Sequence, residues 1–352
     1  MAGGAHQAMK IVHVCGRAVA DPALRLHGSV KDIQGRSEYF AERGVGVRQV
    51  LVDDPARAFE TMEATRAWPA AGESAILFES SFCPRALEHV RRSYPHVRVL
   101  LRPHNAELPH RLDWARACGP GLAALGWARH AVVNVLRDWR SARAAHRVLP
   151  ISDWEAYGYW SRLTRPDKVI AAPFFLPKQL REVLPEVPDK ERLCVNLGAA
   201  RGNPLVFHAL GAFSRCIEGL GGDAPGWCFA SSGDAEGYAG PVSPRVERFG
   251  VLESPYPLLA RARAMALLSP LGGGFKTKVL EAVACRTWVI VPAPLARKLP
   301  LELRPCCIVL DEISPAGFAA ALKRALEPFP EDDPGVRLRS RAFSALDAAF
   351  WL

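Results

Sequence analysis

Eleven short apolar runs punctuate the chain, each about the length of one strand and too short for an ordinary helix. In the first half they are residues 10–16 (KIVHVCG), 46–52 (GVRQVLV), 74–80 (SAILFES), 96–102 (HVRVLLR) and 147–152 (RVLPIS). In the second they are 192–198 (RLCVNLG), 227–233 (WCFASSG), 245–250 (RVERFG), AMALLS within 262–270, 287–292 (TWVIVP) and 306–310 (CCIVL). Helical segments separate them, an alternation that predicts an α/β chain with parallel sheets covered by helices on both faces. Eleven strands are more than one such domain usually holds. Four prolines among charged residues interrupt the pattern at 173–192, and prolines resist both helix and sheet interiors. The chain then restarts with a strand, a glycine-containing loop and a helix, as it does at residue 10. This organisation predicts an N-terminal extension (1–9), a first domain (10–172), a linker (173–191) and a second domain (192–338). A C-terminal amphipathic helix (339–352) is expected to pack back on the first domain. The fold class is two Rossmann-like domains facing each other across a cleft.

One segment combines glycines, lysines and a helix start: LGGGFKTKVLEAVAC, residues 271–285. Glycines admit a ligand close to the backbone, and a helix N-terminus with nearby lysines attracts anions. The flanking runs make this a strand, glycine loop, helix, strand series, whose ligands bind beyond the carboxyl ends of the strands. At 100° per residue Val279, Leu280, Val283 and Ala284 share one helix face. Lys278, Glu281 and Cys285 fall on the other, which is expected to point away from the core.

Length and charge add bounds. The 352 residues suffice for two domains with substantial cores, and about half of them are hydrophobic. No eighteen-residue apolar run is present, so no spanning helix is expected. The first residues lack a basic segment followed by an apolar one, which makes the cytoplasm the default location. The nine cysteines sit mostly inside apolar runs without CxxC or Cys/His spacing, so they are expected as buried thiols and not as disulfides or metal ligands. A net charge of +9 favours an anionic partner. Arginine supplies most of it, and no nucleic-acid-binding module or aromatic-interleaved basic motif accompanies it, so no nucleic acid is expected as a partner.

At this point the sequence resembles the glycosyltransferase family 4 group, which has the two-domain GT-B architecture. The resemblance runs from Lys10 to about Leu326. Its most specific element is RFGVLESPYPLLARARAMALLSPLGGGFKTKVLEAVACRTWVIVP, similar to the family's G-x-V, a strand ending in Pro, G-x-G-x-[KR]-x-K and V-L-E-A-x-A-C. LRPHNAE (101–107) is similar to its R-x-H-N-x-E segment, and RAAHRVLPISDWEA (143–156) to a strand end ahead of a serine. The resemblance implies a hexosyltransferase-like enzyme moving sugar from a nucleotide diphosphate sugar to a glycan, lipid-linked or small-molecule acceptor, with retention of configuration. No cofactor and no metal are implied. His104, Lys276 and Lys278 carry over as catalytic residues. Glu281, Gly273, Gly274, Phe275, Thr277, Arg201, Gly28 and Ser29 carry over as donor-binding residues, with Glu281 on the ribose hydroxyls.

Two departures stand out. The family's E-x7-E pattern would put its first glutamate at Gly273, and its G-R-x-x-x-x-K-G phosphate segment reads LGAARGNP here, leaving Arg201 as the available cation. Rival readings are a non-hydrolysing sugar-nucleotide 2-epimerase, for which no acidic cluster is evident, and a non-catalytic nucleotide-sugar-binding homologue. Lys31 and Asp32 are expected to be solvated. Finally, Arg137, Arg140, Arg143 and Arg147 recur at helical spacing beside an apolar face of Val132, Val135, Trp139 and Ala142. The favoured reading is a core-packed helix with a solvated arginine face. Its functional counterpart is an interfacial helix in peripheral contact with an anionic surface at the inner membrane face.

Overall fold

Strands form where the apolar runs lie. The computed structural model describes residues 9–351 except 187–188, 199–203, 223, 235–237, 239 and 273–274. Among the described residues every one of the eleven runs contributes a strand. These are β1 (Lys10–Gly16), β2 (Gly46–Val52), β3 (Ala75–Phe78), β4 (Arg98–Leu101), β5 (Arg147–Val148) and β6 (Glu191–Leu197), followed by β7 (Cys228–Ser232), β8 (Val246–Arg248), β9 (Ala262–Ala266), β10 (Trp288–Pro292) and β11 (Cys307–Leu310). All pairings between them are parallel. Strands β3 and β10 are buried along their whole length, which is why they read as continuous apolar runs.

The chain divides into two compact units. One comprises Met1–Leu108, Val132–Lys178 and Arg339–Leu352; the other comprises Pro109–Ala131 and Gln179–Leu338. The first unit holds a sheet in the order β2-β1-β3-β4-β5, the second one in the order β11-β10-β9-β6-β7-β8. Both orders are doubly wound, and each reverses at one place: between β1 and β3 in the first unit, between β6 and β9 in the second.

Two details of this division differ from the pattern along the chain. Residues 109–131 group with the second unit, although sequence order places them in the first domain. Phe174, Phe175 and Leu176, expected in a linker, are buried, and Phe175 packs in the first unit's core with Tyr39 and Phe343. Apolar content overrides proline spacing there. Phe343 and Phe350 of the C-terminal helix (Pro334–Trp351) stack edge-on against Tyr39 and Phe40 respectively. Asp347 accepts hydrogen bonds from Arg43 and from the Tyr39 hydroxyl. Of the thiols, Cys118 and Cys228 are exposed and the others buried.

Candidate functional site

In the second unit, the chain leaves β9 and turns through Gly272 into helix Thr277–Ala284. Gly272 has φ +105°, which strains any residue with a Cβ, and an added Cβ would also meet the Lys276 ammonium at 2.6 Å. Lys276 occupies the N-cap position, and its side chain makes no capping hydrogen bond, while the Val279 amide turns back to the Lys276 carbonyl at 2.8 Å. A helix N-terminus without its own side-chain cap favours an anion. Lys278 is half-buried and donates from Nζ to the carbonyls of Leu197 (2.6 Å) and Gly198 (3.1 Å) at the end of β6. Burial, and then the neighbouring Lys276 charge, push its ammonium down to about 8. Gly198 is required where it stands, since a Cβ would lie 2.3 Å from the Ser232 carbonyl oxygen.

The helix face that was expected to point outward is covered: Glu281 and Cys285 are 2 % and 1 % exposed. The helix is enclosed on its charged side as well as its apolar one, so its wheel alone misassigns the solvent direction. Phe275 is buried, and Thr277 opens the helix. Gly273, Gly274 and Arg201 lie outside the described residues. Three residues not singled out in the sequence join this turn. Asp113 accepts the Gly272 amide at 2.8 Å, and Lys298 donates to the Gly272 carbonyl at 2.9 Å while standing 3.7 Å from Asp113. His110 is the third: burial, then the charges of Lys276 and Arg111, hold its ring at about 3. Nothing in their own local sequence marks them, because Asp113 and His110 lie some 160 positions from the glycine loop in the chain and Lys298 follows it by 26, beyond the next strand.

The first unit has its own concave feature, a cavity of about 400 Å³. It sits at the carboxyl ends of the strands, where the sheet order reverses. Val14 and Gly16 of β1, Val52 of β2, Glu79 after β3 and His104 after β4 line it, with Ser29 from helix Gly28–Glu42 and Phe82. Gly28 opens that helix, and Ser29 shares a 3.0 Å hydrogen bond with the His27 ring. Behind the cavity lies a buried ion network. Arg36 donates from Nε to Glu79 at 2.5 Å, also bonds the second Glu79 oxygen, and reaches Asp32 at 2.8 Å. Arg102 forks onto Asp32 at 3.0 and 2.7 Å. Asp32 and Lys31, expected to be solvated, are 4 % and 3 % exposed. Burial alone would raise both acids, but Arg102 and Arg36 outweigh it and hold Asp32 at about 2, while Arg36 with His104 and His13 holds Glu79 well below the usual carboxylate range.

His104 stands at the edge of this network, its side chain 23 % exposed, with Nε2 3.2 Å from Glu79 and 3.7 Å from Asp32. An ionised carboxylate accepts only, so Nε2 carries the hydrogen of this contact. Ligand atoms of Asp32, Glu79 and His104 come within 4.8 Å of one another, a metal-like grouping. The guanidinium groups of Arg36 and Arg102 already occupy the carboxylate oxygens, so the cluster is neutralised by the chain's own cations.

Deeper in the same unit, Glu155 and Asp138 are fully buried. Glu155 accepts the Ala106 amide at 3.0 Å, and Asp138 accepts the Tyr159 hydroxyl at 2.6 Å and the Glu107 amide at 3.2 Å. Burial pushes Glu155 up to about 8 and Asp138 up to about 7. Carboxyls with folded pKa values above the unfolded ~4 bind more protons in the folded state, so these two make stability fall as pH rises from about 4 to about 8. Glu155→Gln keeps an acceptor for Ala106 without the charge. Its melting temperature is expected to exceed that of the parent at pH 8.5 and to match it near pH 5, in thermal melts across the range. Parallel curves for the two proteins would contradict the assignment.

No protein-family model matches the chain, and no curated protein matches it in sequence. Solved structures do match. One is sucrose-phosphate synthase from Thermosynechococcus elongatus, with 13 % identity, a TM-score of 0.62, and 97 % of this chain and 95 % of that one covered. The chain has the GT-B fold. The catalytic domain of starch synthase IV from Arabidopsis thaliana, bound to ADP and acarbose, is similar to it at 13 % identity with a TM-score of 0.57, covering 97 % of each chain. Anabaena HepE in complex with UDP-glucose is similar at 14 % identity and a TM-score of 0.53, covering 97 % of this chain and 95 % of that one. In GT-B terms, both candidate sites lie where the sheet order of their Rossmann-like unit reverses.

Proposed function

We propose that the chain is a glycosyltransferase that moves a sugar from a nucleotide diphosphate donor to a glycan, lipid-linked or small-molecule acceptor, with retention and without a metal. The observation that carries this reading is the uncapped N-terminus of helix Thr277–Ala284, flanked by Lys276 and Lys278 where the second sheet reverses. Departure of the donor sugar leaves a nucleotide diphosphate, so negative charge grows on its β-phosphate. Amides and ammonium groups already fixed at that point bind the transition state better than the ground state. Glu281, one turn into the same helix, supplies a carboxylate for the ribose hydroxyls. The acceptor enters the cavity of the first unit, where the His104 ring meets a sugar or acceptor hydroxyl.

Structures of the same fold contain ADP or UDP-glucose, which makes ADP- and UDP-sugars the first donors to test. A donor held at about a hundred times its Kd should add roughly 2.7 kcal/mol of stability, visible as a thermal shift. Donor hydrolysis or transfer should follow with the same donor. If no nucleotide diphosphate sugar shifts the melt, the reading fails. Affinity without turnover would instead identify a nucleotide-sugar-binding protein, the outcome that glycine at position 273 would then explain.

A further inference from the structure

The helix Leu122–Ala144 buries an unexpected face. From Val132 onward the inward side is Asn134, Asp138, Ser141 and Ala142, while Val132, Leu136 and Trp139 are 60 %, 56 % and 41 % exposed. The reading of Val132 and Trp139 as part of a core-facing stripe is therefore corrected, and Arg147, counted in the basic face, belongs to β5. The inner polar side chains have fixed partners: Asp138 takes Tyr159, and Ser141 donates to the Ser81 carbonyl at 2.7 Å. Polar bonding to the first unit turns the helix so that its apolar ridge faces out.

We propose that this ridge is a docking surface for an anionic lipid bilayer, on which the helix lies parallel to the surface. Val132, Leu136 and Trp139 recur at steps of four and three, with Arg137, Arg140 and Arg143 beside them. The sequence repeats the pattern upstream with Leu122, Leu125 and Arg129. Arg143 covers the Trp139 ring at 5.1 Å, an arrangement suited to the headgroup level, where an indole and a cation are both stable. Arg140 is paired with Glu88, so the exposed Arg143 is the cation on the ridge itself for phosphate, with the half-buried Arg137 at its flank. The only acid of the helix, Asp138, is fully buried. Such a face repels a second copy of itself and attracts a negative surface. Among the described residues no helix is long and apolar enough to cross a membrane, so the contact is peripheral. Arg137 also stacks over Phe82 at 5.7 Å, and Phe82 and Ser81 line the first unit's cavity, so docking holds that cavity beside the headgroups.

The test is co-sedimentation of the full chain with vesicles of phosphatidylcholine alone or mixed with phosphatidylglycerol. Binding is expected on the mixed vesicles only, and it should weaken as salt rises. Each of Arg137→Glu and Arg143→Glu should weaken it at least about fivefold, and Leu136→Asp about tenfold or more. Leu136 and Arg143 are exposed, so their variants should melt like the parent, and the Arg137 variant, which loses its stack on Phe82, is compared at temperatures well below its own melt. Absence of binding to the mixed vesicles, or binding that all three variants leave unchanged, would overturn the proposal. A dimer in sedimentation velocity that Leu136→Asp dissolves would overturn it too, by giving the ridge to a second copy. None of these outcomes depends on whether the chain transfers sugar.

Discussion

Lys276→Ala is expected to lower turnover about a hundredfold while leaving the melting temperature close to that of the parent. The half-exposed Lys276 side chain stands at the mouth of an uncapped helix, so its loss removes a charge from the phosphate position without opening a cavity. If it acts mainly on the departing diphosphate, the loss appears in kcat, with KM for the donor changing much less. Lys276→Arg keeps the charge and should recover part of the rate. Lys278→Ala should cost about as much turnover, but its Nζ also ties the helix to the carbonyls of Leu197 and Gly198, so that variant should melt at a lower temperature as well. Steady-state kinetics with whichever donor gives a thermal shift would measure both. A Lys276→Ala enzyme within threefold of the parent would remove the lysine from the chemistry.

The strands were legible because a strand enclosed on both faces must be apolar at every position, and that signal is local. The glycine loop was legible for a similar reason, since glycines, lysines and a helix start lie within a few residues. What escaped were charges that only the fold brings together. Asp32 and Arg36 are an i,i+4 pair on one helix, a spacing that usually marks a solvated face. Glu79 follows the fully apolar β3 and Arg102 follows the three apolar residues that end β4, and there lay the missed signal: a charge directly at the end of a central strand faces the interior unless the chain turns away at once. The helix wheel of Thr277–Ala284 failed for a related cause, because a wheel assumes one solvent side and this helix is enclosed on two. The basic helix failed in the opposite direction. Its inward face is held by Asp138 and Ser141 to specific hydroxyl and carbonyl groups, and hydropathy counts those residues as outward.

Arg36→Met should destabilise the first unit by about 3–5 kcal/mol, because it leaves buried carboxylates short of their cation. Arg36 serves both oxygens of Glu79 and one of Asp32, and its own side chain is 3 % exposed. Without it Asp32 keeps Arg102, but among the described residues the Glu79 side chain keeps its two histidine contacts and no guanidinium. Removing both members, as Arg36→Met with Glu79→Met, should recover most of the loss, since the uncompensated charge goes with its partner. Denaturant midpoints of the parent, the two single variants and the double variant would give the coupling. The pH dependence has a definite sign. Asp32 and Glu79 have folded pKa values below their unfolded ones, so their stabilisation is present above about pH 4 and is lost as pH falls toward about 2. The parent should therefore lose stability steeply in that acid window, and the double variant, which lacks the Glu79 carboxyl, less steeply. An Arg36→Met midpoint equal to the parent's would show that the network is solvated and contributes nothing to the fold.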